Sequence, residues 1–165
     1  MKFEIIHDSV VNARTEAVVN AANEYLTAGG GLCGEIFKIN GKRLEEECQD
    51  IGFCKTGDSV ITNAYNMKAR YLIHAVGPKD GDKEVLRNTF ISILETAENN
   101  HIRSVALVPV ATGIFGFPIE DCAKIALDVI LNFDAKSIEE CYMYCYTQEE
   151  YDVFINTLNN IKNAK

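Results

Sequence analysis

Two glycine-rich stretches contain residue types that could bind an anion. In the first, over residues 18–34, an apolar run is followed by Asn20 and Asn23 and then by three consecutive glycines, Gly29, Gly30 and Gly31. A buried strand that leads through a glycine loop into a helix points backbone N–H groups at a phosphate. Glycine permits the close approach of an anion and the positive φ angles that such loops use. We therefore predict that this stretch is the ligand site.

The second stretch, over residues 105–122, has the same organisation. Its apolar run at 105–110 is typical of a strand covered on both faces. Pro118 followed by Glu120 and Asp121 indicates a helix start, because proline suits the first turn and acids suit the positive end of the helix dipole. The loop between this strand and this helix consists of Ala111, Thr112, Gly113, Ile114, Phe115, Gly116 and Phe117.

Neither stretch contains a lysine or an arginine. An anion held there must therefore be bound by backbone amides and helix dipoles. This favours a diphosphate held from two sides over a triphosphate, whose charge usually requires a lysine and a metal ion. Two tight turns without a ligand are the alternative. Two such loops at the carboxyl ends of strands favour a site, because open α/β sheets bind ligands there.

The composition indicates a globular protein of 165 residues, which we expect to form one domain. No apolar run is long enough to cross a membrane, and the N-terminal sequence lacks a signal-peptide core, so we expect a cytoplasmic protein with no membrane partner. The net charge of −8 argues against binding to duplex nucleic acid, which requires a basic face. We also expect a monomer.

The cysteines and histidines do not have the spacing of a metal site. Six cysteines form no C-x-x-C pair, and the three histidines are scattered. This pattern favours six reduced thiols, several of them packed in the core, over disulfides or a zinc site. We predict no metal and no cofactor.

The remaining periodicity predicts strands alternating with helices. Strands are expected at residues 3–6, 15–19, 59–64, 71–76, 105–110 and 140–146, and helices at 37–48, 84–99, 118–133 and 149–162. The connection at 66–68 has the character of a hairpin, and Gly41 suggests a break in the first helical stretch. This order predicts an α/β domain with a largely buried mixed sheet.

One motif match points to a different class of enzyme. Gly29, Gly31 and Gly34 fit the spacing G-x-G-x-x-G of dinucleotide-binding proteins. In that fingerprint the first glycine follows the strand directly, whereas here residues 20–28 intervene, and no clear acidic residue ends a second strand at the expected distance. A nicotinamide-dependent oxidoreductase is therefore a distant alternative.

Four motifs in this order resemble the macrodomain family, and the resemblance covers nearly the whole chain from Asp8 to the final helix. They are NAAN at residues 20–23, GGG at 29–31, VGP at 76–78 and PVATGIFG at 109–116. That family binds ADP-ribose, and its fold is a three-layer α/β/α sandwich. The set is most similar to the branch that hydrolyses mono-ADP-ribosyl protein esters or O-acetyl-ADP-ribose. The resemblance thus implies ADP-ribose or an ADP-ribosylated protein as the partner.

The resemblance implies roles for residues at both ends of the ligand. Asp8 would accept a hydrogen bond from the adenine amino group, and Tyr146 would stack on the adenine; a water-facing acid and a packing tyrosine are the alternatives. Asn23 would bind the distal ribose, with a turn-forming asparagine as its alternative. The implied ligand-binding residues are Asp8, Ser9, Asn20, Asn23, Gly29, Gly30, Gly31, Leu32, Cys33, Ala111, Thr112, Gly113, Ile114, Phe115 and Tyr146.

Cys33 departs from the hydrolytic branch that the sequence resembles. An aspartate usually stands at this position, where it helps to orient or activate the attacking water. The thiol of Cys33 cannot do this in the same way as a carboxylate. The candidate catalytic residues are Asn23, which would position the ribose, and Cys33 itself. A hydrolase that uses other groups and a non-catalytic reader of ADP-ribose both remain open.

Overall fold

A mixed six-stranded sheet forms the centre of the computed structural model, which describes residues 1–164. Its strands are β1 (Lys2–His7), β2 (Ala17–Ala21), β3 (Ser59–Asn63), β4 (Tyr71–Ala75), β5 (Ser104–Leu107) and β6 (Glu140–Cys145). They lie in the order β1-β6-β5-β2-β4-β3. Neighbouring strands are parallel except for β3, which pairs with β4 in an antiparallel hairpin. The predicted mixed sheet is thereby confirmed.

Helices cover the sheet in two groups. They are α1 (Gly31–Asn40), α2 (Lys42–Ile51), α3 (Lys83–Asn99), α4 (Ile119–Asn132) and α5 (Gln148–Asn163). The last three pack against one another, with α3 on β3 and β4 and α5 on β1 and β6, while α1 and α2 pack together against β2 and β3. The architecture is therefore the expected three-layer α/β/α sandwich.

The strand formed by the second apolar run is shorter than its sequence suggests. The run at 105–110 predicts one continuous strand, but β5 ends at Leu107. Pro109 has no N–H to donate to a neighbouring strand, so the chain leaves the sheet there. Although Val108 and Val110 are buried, they belong to the loop above the sheet and not to the ladder.

The predicted helix at 37–48 is two helices. Gly41, with φ +68°, separates α1 from α2, which confirms the suggested break. The first helix begins earlier than predicted, at Gly31, directly after the glycine loop. The apolar stripe starts later because the first residues of α1 face a cavity and not the core, and this placement brings the helix N-terminus to the loop.

The core includes all six cysteines, each buried and free. Burial raises the pKa of Cys141 and Cys145 to about 12, as expected for thiols that act as small apolar groups. The core-packing interpretation of the cysteines is confirmed.

Candidate functional site

Five parallel strands end at one edge of the sheet, and the residues that follow them form a single cavity. The cavity has a volume of about 530 Å³, which is in the range of small-molecule sites. The strand order places residues after β1 and β6 at one end, the loop after β5 in the middle and the loop after β2 beyond it. Because neighbouring strands lie ~4.8 Å apart, β1 and β2 are separated by roughly 14 Å, so the site suits an elongated ligand.

The cavity brings together nearly all of the predicted site residues. It is lined by Asp8, Ser9, Val10, Ala21, Ala22, Asn23, Gly29, Gly30, Gly31, Leu32, Cys33, Glu35, Gly77, Val108, Pro109, Val110, Ala111, Thr112, Gly113, Ile114, Phe115, Tyr144, Tyr146 and Glu150. Of the predicted residues, Asn20 alone is absent from the wall. Three lining residues are acidic and none is a lysine or arginine. A bound anion would therefore be held by neutral donors, as the sequence predicts.

The first glycine loop, which connects β2 to α1, presents the N-terminus of α1 to the cavity. Only Gly31 of the three consecutive glycines has a positive φ, +55°, whereas Gly30 is extended with φ −86°. The positive φ expected for the loop is thus confined to one position. Gly34 is needed for a different reason, since a Cβ there would collide with the carbonyl oxygen of Gly29. Glycine at position 34 therefore lets the loop fold back onto its own helix.

The second glycine loop, which connects β5 to α4, is shaped by strained backbone and close packing. Ala111 has φ +72°, which L-residues rarely adopt, and its carbonyl accepts a 2.8 Å hydrogen bond from the Phe117 N–H. A Cβ on Gly77, just after β4, would lie 2.8 Å from Val110 Cγ1, so glycine is required there. Only the loop itself, and not the N-terminus of α4, lines the cavity.

The two glycine loops approach each other across the cavity. A Cβ built on Gly30 would lie 3.1 Å from Ile114 Cδ1. The Ile114 side chain is 80% exposed, so it forms part of the cavity mouth and is not buried in the core. The loops therefore flank one space from two sides, which is the arrangement predicted for a diphosphate site.

The far end of the cavity contains the residues that the resemblance assigns to adenine. Asp8 follows β1 and Tyr146 follows β6, and the parallel register of these strands places them side by side. Asp8 Oδ1 accepts hydrogen bonds from the Ser9 N–H at 2.7 Å and Asn12 Nδ2 at 3.0 Å, which orients the carboxylate. Tyr146 is 72% exposed and lies one residue beyond the end of β6, whereas the sequence predicted it to be the last residue of that strand. Its ring is therefore available for stacking.

Asn23 lines the cavity, but its side chain already shapes the first loop. Its Nδ2 donates to the Thr27 carbonyl at 2.9 Å, and its Oδ1 accepts from the backbone N–H groups of Tyr25 and Thr27. These contacts support the turn-forming role that the sequence left open. One Nδ2 hydrogen remains for a ligand, so a ribose contact stays a prediction. Loss of this side chain would disturb the loop together with any ribose contact.

Asn20 contradicts its assignment as a ligand-binding residue. It is fully buried in β2 and does not line the cavity. Its Nδ2 lies 3.1 Å from His74 Nδ1 and donates to Cys33 Sγ at 3.6 Å. The physical reason is the sheet position: a central strand covered by helices buries both of its faces, so only its last residue, Ala21, and the residues beyond it reach the cavity.

Cys33 lies on the cavity wall with its thiol directed into the protein. The side chain is 6% exposed, and Sγ donates to the Thr27 carbonyl at 3.5 Å while accepting from Asn20. Both contacts belong to the first loop or the strand before it. In this arrangement the thiol packs beneath the loop instead of projecting into the cavity.

Sequence reasoning missed several residues of the wall. Glu35 follows Gly31 by one helical turn, so the two residues share a helix face. The sequence would have indicated Glu35 if the helix had been predicted to begin at Gly31. Glu150 Oε1 accepts from the N–H groups of Tyr146 and Thr147 and so supports the tyrosine backbone. The Lys79 ammonium lies 5.5 Å from the Phe115 ring centroid, but Lys79 is not one of the residues that line the cavity.

The described residues 1–164 contain neither a cluster of metal ligands nor a membrane-spanning helix. No group of three or more histidine, cysteine, aspartate or glutamate residues is arranged to hold a metal ion. Likewise, none of the helices in this described part of the chain has the length and apolar character needed to cross a membrane.

Comparison with known proteins identifies relatives along nearly the whole chain. A family model described as "Macro domain" matches residues 19–126. A curated relative, the O-acetyl-ADP-ribose deacetylase 1 of Pantoea vagans, is 38% identical over 96% of this chain and 99% of its own length. The family match gives no support to the nicotinamide-dependent oxidoreductase alternative.

Solved structures agree with this comparison. The Trypanosoma brucei macrodomain in complex with ADP-ribose superposes with a TM-score of 0.89 and 31% identity, covering 94% of this chain and 68% of its own. The Oceanobacillus iheyensis macrodomain with ADP superposes with a TM-score of 0.93 and 27% identity, covering 99% and 93%. Both relatives therefore share the architecture described above over almost all of this chain.

Proposed function

Because this chain belongs to the macrodomain family, we propose that it binds ADP-ribose in the cavity and hydrolyses a bond at the distal ribose. The substrate would be O-acetyl-ADP-ribose or a mono-ADP-ribosylated protein. The proposal is supported by the deacetylase name of a relative that matches almost end to end, and by the ADP-ribose bound to a related structure. A cytosolic, monomeric protein without a cofactor remains our expectation.

The observation that carries the proposal is the pair of glycine loops flanking a cavity wall without cations. The N-terminus of α1 offers unpaired backbone N–H groups and the positive end of a helix dipole. Such donors suit a diphosphate, whose charge is spread over several oxygens. The aromatic ring of Tyr146 and the carboxylate of Asp8 suit an adenine, and they follow strands that lie two and three spacings of ~4.8 Å from β2.

The chemistry proposed is ester hydrolysis. A water oxygen bonds to the acetyl carbon, the bond between that carbon and the ribose oxygen breaks, and acetate and ADP-ribose result. One water proton ends on the ribose oxygen, and the other is released when the acetic acid product ionises to acetate. The contribution expected from this chain is geometric: the two loops hold the diphosphate and the Asn23 loop orders the distal ribose, so that the water is placed next to the carbonyl.

A non-catalytic reader of ADP-ribose is the second candidate. It is favoured by Cys33, whose thiol donates to the Thr27 carbonyl and supplies no carboxylate at the position where the hydrolytic branch has one. Binding would then be the whole function, and the protein would recognise ADP-ribosylated proteins without altering them.

The deciding experiment combines calorimetry with a single-turnover assay. We expect ADP-ribose to bind with micromolar or better affinity and NAD to bind much more weakly, because NAD carries a bulky cationic ring on the distal ribose. We expect Cys33→Ala to keep most of the wild-type rate of acetate release from O-acetyl-ADP-ribose, because the thiol faces into the protein and takes no part in the reaction. A modest loss of rate would reflect the missing contact with the Thr27 carbonyl. Equal or tighter binding of NAD would contradict the assigned ligand.

The same assay separates the two candidates. Binding of ADP-ribose without any product, from either O-acetyl-ADP-ribose or a mono-ADP-ribosylated protein, would establish the reader. A complete loss of turnover in Cys33→Ala, with binding retained, would instead make the thiol catalytic. Gly34→Ala, which is expected to displace the first loop, serves as the control that must lose ligand binding.

A further inference from the structure

A chain of buried polar side chains crosses three neighbouring strands and ends at the first glycine loop. His74 on β4 lies next to Asn20 on β2, its partner in the parallel register, and close to Thr62 on β3. Thr62 is 2% exposed, and the other two are fully buried. Nothing in the proposed ligand site requires a polar residue at position 74, so this series of buried polar side chains needs its own explanation.

The direction of each hydrogen bond in this chain follows from the donors available. The Asn20 amide nitrogen can only donate and lies 3.1 Å from His74 Nδ1, so Nδ1 accepts and the ring proton is on Nε2. His74 Nε2 then donates to Thr62 Oγ1 at 2.9 Å, and the Thr62 hydroxyl donates to the Asn63 carbonyl at 3.1 Å. The Asn20 amide donates its other hydrogen to Cys33 Sγ at 3.6 Å.

The last link joins this chain to the loop. Cys33 Sγ donates to the Thr27 carbonyl at 3.5 Å, within the segment that leads into Gly29–Gly31. Thr27 in turn accepts from Asn23 Nδ2. A continuous series of hydrogen bonds therefore runs from the hairpin β3–β4, which lies away from the cavity, to the residues that shape the cavity wall.

Asn20 is held in this orientation at a cost. Its Oδ1 is buried without a hydrogen-bond partner in the described residues 1–164. A flip of the amide would give that oxygen a new neighbour, but would direct Oδ1 toward His74 Nδ1, which carries no proton in this arrangement. In the orientation observed, the amide nitrogen of Asn20 donates both to His74 Nδ1 and to Cys33 Sγ, although a buried acceptor is left unpaired.

We propose that His74 is a positioning residue for the first glycine loop, acting through Asn20 to hold the Cys33 thiol against the Thr27 carbonyl. His74 fixes the orientation of the Asn20 amide, and the amide fixes the position of Cys33 Sγ. The thiol then holds the loop through its hydrogen bond to the Thr27 carbonyl. This role depends on the contacts inside the protein, and it is independent of which ligand the cavity binds.

The proposal is tested by thiol alkylation mapped to each cysteine by mass spectrometry. His74→Phe keeps a ring of similar size but removes both ring nitrogens. In this variant we expect iodoacetamide to modify Cys33 about tenfold faster than in the wild type, the equivalent of one hydrogen bond of about 1.4 kcal/mol. The rates at Cys48 and Cys122 should not change. Asn20→Leu, which removes the middle link, should produce the same pattern if His74→Phe does not fold.

The control variant is Thr89→Val. Thr89 is a fully buried threonine outside this chain, and its hydroxyl donates to the Val85 carbonyl at 2.8 Å. Its loss should lower stability and leave the relative rate at Cys33 unchanged. An unchanged Cys33 rate in folded His74→Phe would overturn the proposal, as would a parallel rise at all six cysteines, which would indicate general loosening.

Discussion

At the scale of single residues, the proposed adenine end of the cavity contains one oriented carboxylate. Asp8 Oδ1 is engaged by Ser9 and Asn12, which leaves Oδ2 to accept from a ligand. A carboxylate in this position favours an adenine amino group over a guanine carbonyl, because it can only accept hydrogen bonds.

We predict that Asp8→Ala weakens ADP-ribose binding by roughly 10- to 100-fold, the effect of losing a hydrogen bond to a charged group, about 1.5–3 kcal/mol. Calorimetry would measure the change, and thermal unfolding would verify that the variant is folded. Glu4→Ala removes another acid, exposed on the same strand and paired with Lys2, and should leave affinity unchanged. Wild-type affinity in Asp8→Ala would remove Asp8 from the site.

At the scale of elements, the first glycine loop is held to α1 by the absence of a side chain at Gly34. A Cβ there meets the backbone oxygen of Gly29, and backbone cannot rotate away as a side chain can. The loop and the helix start therefore move together. This coupling is what brings the amides of α1 to the cavity wall.

We predict that Gly34→Ala lowers the free energy of unfolding by about 1–3 kcal/mol and displaces the loop, the usual cost of overpacking. Urea unfolding followed by circular dichroism would measure the change. Gly113→Ala is the matched control, because a Cβ at Gly113 meets nothing within 4 Å and its φ is not positive. Stability equal to the wild type in Gly34→Ala would show that the loop rearranges freely.

A second element is fastened by a single carboxylate. Glu98, near the end of α3, accepts hydrogen bonds from the N–H groups of Lys136, Ser137 and Ile138 and from the Ser137 hydroxyl, just before β6. Burial opposes the charged form, but these donors outweigh it and hold the pKa of Glu98 at about 2. The carboxylate thereby ties the start of β6 to α3.

We predict that Glu98→Gln lowers the free energy of unfolding by about 1–2 kcal/mol at neutral pH, because an amide presents one acceptor oxygen where the carboxylate presents two. Chemical denaturation would measure the difference. Glu95→Gln changes an exposed acid on the same helix and should have no effect. If both variants lost the same stability, the specific role of Glu98 would be refuted.

At the scale of the whole molecule, a buried neutral histidine makes stability depend on pH. Burial lowers the pKa of His74 to about 4 from its ordinary value of 6.5, although Glu47 acts in the opposite direction. Below pH 6.5 the unfolded chain binds a proton at this histidine that the native protein does not. The free energy of unfolding therefore falls as the pH drops from about 6.5 to about 4, and this histidine adds no further loss below that range.

The expected loss from His74 is about 3 kcal/mol over the full range, from ~1.4 kcal/mol for each pKa unit. Urea unfolding of the wild type at pH 7, 6 and 5 would show the decline, and His74→Phe should have a flatter profile over the same interval. Identical slopes for the two proteins would mean that the histidine is not held neutral.

Residue types alone were enough to predict that the two glycine loops line one cavity. Each of the two glycine loops follows an apolar run and precedes a helix. Such local features can be predicted from residue types, because glycine permits close approach, and proline and acids favour a helix start. The lack of cations in both loops also carried through to the cavity wall unchanged. The cysteines, without metal spacing, indicated core packing in the same way.

Which polar residues line the cavity depends on how the strands and helices pack, and this could not be predicted from residue types. Asn20 and Asn23 belong to one motif, yet β2 buries the first and ends before the second. Cys33 and Glu35 are two residues apart on α1, but the thiol is directed inward to Asn20 and Thr27 while Glu35 lines the wall. The reason is physical: the direction of a side chain depends on where its strand ends and what packs against it. Partners such as His74, 54 residues from Asn20, meet only through the sheet.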